Sequence, residues 1–276
     1  MNDERKTKND ERKTDNKGPL SEALGLARRE MVSLVGAGGK TTLMFRLANE
    51  LVLDGSKVLT TTTTKIMEPS SEETPFLFVH TDEIKVIESV SQLLHKYKHM
   101  TVASERIGFG KLKGISLNCV KALWDLKEVD YLIIEADGAA GRPIKAPREI
   151  EPVIPLATTT VIGLIGVDGL GKELNEENVF QPERVSRLTR LAMGEKLTED
   201  AMARLMTDPE GVFKGSPGSS RGIVFLNKVD IEDGLRKAQR ISEKIIERKS
   251  LQIERIILGQ VKKEPPVVEV ITLGRN

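Results

Sequence analysis

Between Met31 and Leu53 the chain reads MVSLVGAGGKTTLMFRLANELVL, and no other stretch restricts the fold as tightly. MVSLV is almost wholly apolar, so a strand here is buried on both faces. Leu43, Leu47 and Leu51 recur four residues apart, which places them on one face of a helix from Thr42 to Leu53. A doubly buried strand that turns through glycines into an amphipathic helix calls for a sheet covered by helices.

The remaining sequence repeats this alternation. KVLTTTTT (57–64), FLFVH (76–80), MTVAS (100–104), YLIIEA (131–136), TTVIGLIGV (159–167), GIVFLN (222–227), ERIILG (254–259) and VVEVIT (267–272) read as strands. Helices are expected over 82–97, 183–194, 198–206 and 233–249. The fold class expected is α/β: a mostly parallel sheet with helices on both faces, a three-layer P-loop NTPase-like domain spanning 19–276. Residues 2–15 are a tandem heptad, NDERKTK then NDERKTD, with no apolar residue. Nothing there can be buried, so 1–18 is expected to be a disordered tail.

Forty-two basic residues face 41 acidic ones, a balance that argues against a nucleic-acid partner. A single cysteine, Cys119, excludes an internal disulfide and a multi-cysteine metal site, and fits a reducing cytoplasm. Cys119 lies in SLNCVKALW, which reads as a core thiol, with a selenium or sulfur carrier role left open. No apolar run is long enough to cross a membrane, and the first twenty residues lack the apolar core of a secretory signal. His80, His95 and His99 have no metal-ligand spacing.

The glycine turn carries chemistry. The common phosphate-binding pattern G-x-x-x-x-G-K-[ST] puts Leu34 where its first glycine belongs, so the match fails in that form. A shorter form fits: Gly36, two residues that include Gly38, then Gly39, Lys40, Thr41 and Thr42. Small residues let backbone N–H groups turn inward, and the following helix points its positive end at bound phosphates. Lys40 would contact the β- and γ-phosphates, and the Thr41 hydroxyl would hold Mg²⁺. This GxxGKTT form resembles the loop of Mur-type peptide ligases.

YLIIEADG ends in two carboxylates, Glu135 and Asp137. A phosphate loop needs an acid at the end of a neighbouring strand to orient Mg²⁺ or the attacking water. Strand alternation sends both acids to the same side, and both are candidate catalytic and metal-holding groups together with Lys40. Arg142 and Lys145 follow, to meet an anion or to be solvated. Downstream, FLNKVD contains N-K-x-D after an apolar strand. Asp230 could accept from the ring N–H and exocyclic amine of guanine, Asn227 could donate to the purine, and the Lys228 stem could cover the ring. The competing reading is a polar strand end with Asp230 capping the next helix. DGLG (168–171) and the Thr60–Thr64 run with Lys65 are lesser switch candidates.

VSLVGAGGKTTLMFRLA, TTTTKIMEP, IIEADGAAGRPIKAP followed by EPVIP, and FLNKVD together resemble the YqeC family of selenium-dependent hydroxylase accessory proteins over nearly all of 20–260. The resemblance implies a role in assembling the cofactor of a selenium-dependent molybdenum hydroxylase. Its expected ligands are Mg²⁺ and GTP (or ATP). Its expected partners are a client molybdenum hydroxylase or its maturation proteins, with a homodimer left open. The order of motifs is also similar to urease- and hydrogenase-maturation GTPases, whose metal-binding Cys or His clusters this chain lacks. An ATP-dependent ligase or kinase acting on a small cofactor precursor, or a non-catalytic nucleotide-gated scaffold, are the alternatives.

Overall fold

The computed structural model describes residues 14–15, 19–250 and 252–274. The tail expected over 1–18 otherwise lies outside the described residues. From the N-terminus, strand β1 (Thr14–Asp15) and a single turn α1 (Leu20–Ala23) precede β2 (Glu30–Gly36) and α2 (Lys40–Leu53). Next come β3 (Val58–Thr62), β4 (Lys65–Met67), β5 (Leu77–Val79), α3 (Glu83–Tyr97) and β6 (His99–Ala103). The chain continues through β7 (Glu105–Ile107), β8 (Lys111–Lys113), α4 (Leu117–Asp125), β9 (Tyr131–Glu135), β10 (Ile144–Lys145) and β11 (Thr160–Gly166). It closes with β12 (Val179–Phe180), α5 (Pro182–Thr189), α6 (Glu199–Thr207), β13 (Arg221–Asn227), α7 (Gly234–Glu247), β14 (Ile253–Gly259) and β15 (Val267–Thr272).

One large sheet has the order β1-β15-β14-β13-β11-β2-β9-β3-β6-β5. Every pairing from β14 across to β5 is parallel, and β15 returns antiparallel on β14. Alternation along each strand divides the core between the two faces. Val32, Leu34, Ile133, Ile162, Leu164, Ile223 and Phe225 pack with Leu43, Leu47 and Leu51 of α2 on one face. On the other, Val35, Val161, Ile165, Val224 and Leu226 meet α5, α6 and α7, while Met31, Leu132 and Ile134 meet α3 and α4. This is the three-layer P-loop NTPase-like arrangement expected, with its strands buried on both sides. The loops at the carboxyl ends of the parallel strands converge above β2, where such sheets bind ligands.

Several boundaries differ from the sequence reading. The second strand stops at Thr62, because the Thr62 hydroxyl bonds the Glu135 carbonyl and the Thr63 hydroxyl bonds the Val153 carbonyl. The chain then turns into a separate three-stranded antiparallel sheet, β4-β8-β7, that the sequence reading did not contain. Helix α5 ends at Thr189 rather than 194, since Arg190 is left-handed and the Thr189 hydroxyl bonds back to the Val185 carbonyl. The α4 helix was not expected; Ser116 caps it by accepting from the Cys119 N–H. Among the described residues no helix is long and apolar enough to cross a membrane.

Candidate functional site

Strand β2 ends at Gly36 and α2 begins at Lys40, so only three residues form the loop between them. Leu34, which replaces the first glycine of the longer pattern, is a fully buried strand residue. The loop therefore starts two residues later than the long pattern would place it. Gly38 has φ +86°, and a Cβ there would lie 2.4 Å from the Gly166 nitrogen. Gly39 has φ +128°, and its Cβ would lie 2.4 Å from Asn227 Nδ2. No side chain fits at either position.

This turn leaves the N–H groups of Gly38, Gly39, Lys40, Thr41 and Thr42 without an acceptor among the described residues. The first turn of a helix cannot satisfy its own donors. Here they join two glycine donors at the positive end of α2, which gives a cradle for an anion.

Alternation along β9 puts Tyr131, Ile133 and Glu135 on the α2 face, which brings Glu135 under Thr41. The Thr41 hydroxyl donates to Glu135 Oε2 at 2.7 Å. Asp137 lies just past the strand and beneath the loop. Its Oδ2 accepts from the Gly36 N–H at 3.0 Å. Lys40 Nζ donates to the Gly36 carbonyl at 2.7 Å and stands 3.2 Å from Asp137 Oδ1 and 3.7 Å from Glu135 Oε1. Burial alone would depress the Lys40 ammonium, but the charges of Asp137 and Glu135 more than offset it and hold its pKa above 10.5. Burial raises the Glu135 carboxyl above its ordinary value, against the opposing pull of Lys40 and the Thr41 hydroxyl.

The two acids thus have different surroundings. Glu135 lines the cleft, whereas Asp137 is 1% exposed and bound from three sides. Its third neighbour is Lys145, whose Nζ is 2.9 Å from Asp137 Oδ2 and 3.1 Å from Glu151 Oε2. Lys145 is 1% exposed, so it is neither a solvated loop charge nor a group facing the cleft, the two options the sequence left open. Arg142 does line the cleft, and its Nε donates to the Glu176 carbonyl.

An Mg²⁺ ion takes few protein ligands and completes its shell with phosphate oxygens and water. The Thr41 hydroxyl and the Glu135 carboxylate, already in contact at the cleft floor, suit that requirement. No group of three His, Cys, Asp or Glu residues among those described could hold a metal without a ligand's help.

FLNKVD sits at the end of β13, beside the loop. Asn227 is 2% exposed; its Nδ2 donates to the Gly38 carbonyl at 2.8 Å and its Oδ1 accepts from the Val261 N–H at 3.1 Å. Asn227 is a strut between the phosphate loop and the turn after β14, a role its sequence position did not show. Lys228, with φ +72°, lines the cleft and pairs with Asp168 of the DGLG turn at 2.8 Å. Asp230 is exposed. The Thr60–Thr62 hydroxyls are buried in the sheet, but Thr63, Thr64 and Lys65 line the cleft. Cys119 is 2% exposed, and burial, with the charge of Glu83, pushes its thiol up to about 12, as expected of a core thiol.

Asn227→Ala is expected to weaken the loop by cutting two buried bonds and orphaning the Val261 N–H, a loss of about 1–3 kcal/mol in stability. Urea unfolding checks this; an unchanged midpoint would mean that the strut holds nothing.

A family model described as YqeC protein matches residues 32–183, a span that holds the loop and both acids. The YqeC protein of Escherichia coli (strain K12) is 32% identical over 246 residues, covering 88% of this chain and 93% of that one. Among solved structures, two crystal forms of FtsY from Mycoplasma mycoides overlay at 17% and 16% identity. They cover 92% and 90% of this chain and 70% and 64% of those chains, with TM-scores of 0.38 and 0.35, superpositions too loose to inform the site.

Proposed function

Since this chain belongs to the YqeC family, we propose that it is an Mg²⁺-dependent nucleoside triphosphatase, using GTP in preference to ATP. In this reading it acts in the cytoplasm as an accessory factor in assembling a selenium-dependent molybdenum hydroxylase cofactor. One observation carries the nucleotide reading. Five consecutive N–H groups without an acceptor among the described residues, the Lys40 ammonium and the Thr41–Glu135 pair all border one cleft of about 1360 Å³.

In this reading Gly38 to Thr42 donate to the phosphates, and Lys40 leaves the Gly36 carbonyl to reach the terminal pair. Thr41 and Glu135 hold Mg²⁺, which screens the charge on the transferring phosphoryl group. Asp137 keeps Lys40 protonated and the Gly36 N–H in place. The selenium–molybdenum client rests on the family resemblance alone. Slow hydrolysis would switch its grip on that client.

Guanine preference rests on Asp230, exposed and placed after the strand beside the phosphate loop. Asp230→Asn is expected to lower GTP affinity and to favour xanthine nucleotide, because the introduced amide can donate to the carbonyl that xanthine has in place of guanine's amine. Competition binding with GTP, ATP and XTP on both proteins tests this. Equal wild-type affinity for GTP and ATP, or no change of preference in the variant, would reduce FLNKVD to a strand end. A ligase or kinase that uses ATP on a small cofactor precursor is the second reading. The size of the cleft favours it, since ligand sites are commonly about 300–1,000 Å³.

A further inference from the structure

The far end of the cleft lies against the small antiparallel sheet. We infer that this end is the site of an anionic second substrate, a phosphate-bearing small molecule held by Lys65, Lys111 and Lys113. The inference deepens the nucleotide reading and rests on it for the orientation of the two ligands.

Register places the lysines together. Across β4 and β8, Lys65 stands opposite Lys113 and Met67 opposite Lys111. Across β7 and β8, Glu105 stands opposite Lys113. Directly opposed residues share a face of a sheet. The alternate residues Ile66 and Leu112 are buried, so the lysine face is the outer one, and Lys65, Lys111 and Lys113 all line the cleft.

Like charges directly opposite each other destabilise an antiparallel pair. Here a lysine faces a lysine, and a third lysine lies two residues along the same strand. The only acid bonded to any of them among the described residues is Glu105, 3.8 Å from Lys113. Both groups of that pair are about half exposed, so it offsets little of the repulsion. Lys65 and Lys111 have no ionic partner among the described residues. A phosphate-bearing ligand would neutralise all three ammonium groups.

Sheet order sets the direction. The base candidates Lys228 and Asp230 follow β13, on one side of β2. The carboxylates follow β9 on the other side, and the small sheet grows from the ends of β3 and β6 beyond it. A triphosphate in the loop with its base toward Asp230 therefore points its terminal phosphate toward the small sheet. An acceptor held by the lysines would stand on that side, with Arg142 and Arg148 also on the cleft wall.

The test fills the nucleotide site with a non-hydrolysable triphosphate and Mg²⁺, then titrates inorganic pyrophosphate by calorimetry. Wild type is expected to take up pyrophosphate saturably. The Lys111→Ala/Lys113→Ala pair is expected to weaken that uptake by about tenfold or more, with triphosphate affinity unchanged. Both residues are exposed, so the fold is kept, which circular dichroism checks. No uptake by the nucleotide-filled wild type, equal uptake by the variant, or uptake lost in Lys40→Ala instead, would overturn the second site. If no triphosphate binds the wild type, the nucleotide reading fails separately. The same titration on nucleotide-free protein then still decides the site by its dependence on the two lysines.

Discussion

Asp137→Asn is expected to lower the free energy of unfolding by about 3 kcal/mol or more, although asparagine has nearly the same shape. The effect is electrostatic. Asp137 is the negative charge between two buried ammonium groups, Lys40 at 3.2 Å and Lys145 at 2.9 Å. A neutral amide in place of Asp137 takes the closest carboxylate from both ammonium groups where water cannot replace it. Glu135 and Glu151 remain, each nearest to one lysine, but the cluster changes from three acids and two lysines to two of each, and both lysines lose their closest carboxylate. The pH dependence should change as well. In wild type Lys40 is held above 10.5, so its contribution is full below that pH and is lost as pH rises through the raised value. With Asp137 neutral, the first cause acting on Lys40, burial, is opposed by less charge. If its pKa falls below 10.5, the folded state binds fewer protons than the unfolded chain and stability increases as pH rises toward that value. Urea unfolding across alkaline pH measures both effects. Adding Lys145→Met should not restore the loss, because it takes from the buried Glu151 the cation 3.1 Å away; a double-mutant cycle measures the coupling between Asp137 and Lys145. A loss below about 1 kcal/mol, with no coupling to Lys145, would show that Asp137 is not the keystone of this cluster.

That cluster also marks where reading the sequence stopped. The doubly buried strands were legible because long apolar runs leave little choice of face; β9, β11, β13, β14 and β15 fall within a residue or so of their expected spans. The phosphate loop, the two acids and FLNKVD were legible as residues because each follows such a run. The topology then brings them to one end of the sheet. What joins them was not legible. Asn227 bonds across 189 positions to Gly38, and local sequence cannot distinguish a base-reading amide from a strut. Lys145 reaches Asp137 only because the chain between them turns back on itself, so a loop cation became a buried counter-ion. The small sheet escaped notice for a different reason. Its strands are three residues long, with Ile66 and Leu112 the apolar centres of two of them, too short for a period-two signal. Helix α4 buries Cys119, Val120 and Leu123 over nine residues, likewise short of a clear helical period.

Lys40→Ala is expected to weaken triphosphate binding by about 1.5–3 kcal/mol, the contribution of one charge-assisted contact, which is roughly 10- to 150-fold in affinity. The backbone cradle from Gly38 to Thr42 is unchanged in the variant, so binding should fall without vanishing. The substitution is not neutral for the fold. It removes the cation between Glu135 and Asp137, leaving Asp137 to Lys145 and the Gly36 N–H, and Glu135 to the Thr41 hydroxyl. Both acids keep a partner, so the cost in stability should be smaller than for Asp137→Asn. The two variants therefore rank in opposite orders: Asp137→Asn the less stable, Lys40→Ala the weaker binder relative to its folded fraction. Calorimetry with Mg²⁺–GTP and Mg²⁺–ATP, corrected for folded fraction by circular dichroism, measures the second ranking. Folded Lys40→Ala with undiminished affinity for both would show that Lys40 serves only as the counter-ion of the buried acids. The glycine turn would then be a strand-to-helix connection and not a phosphate site.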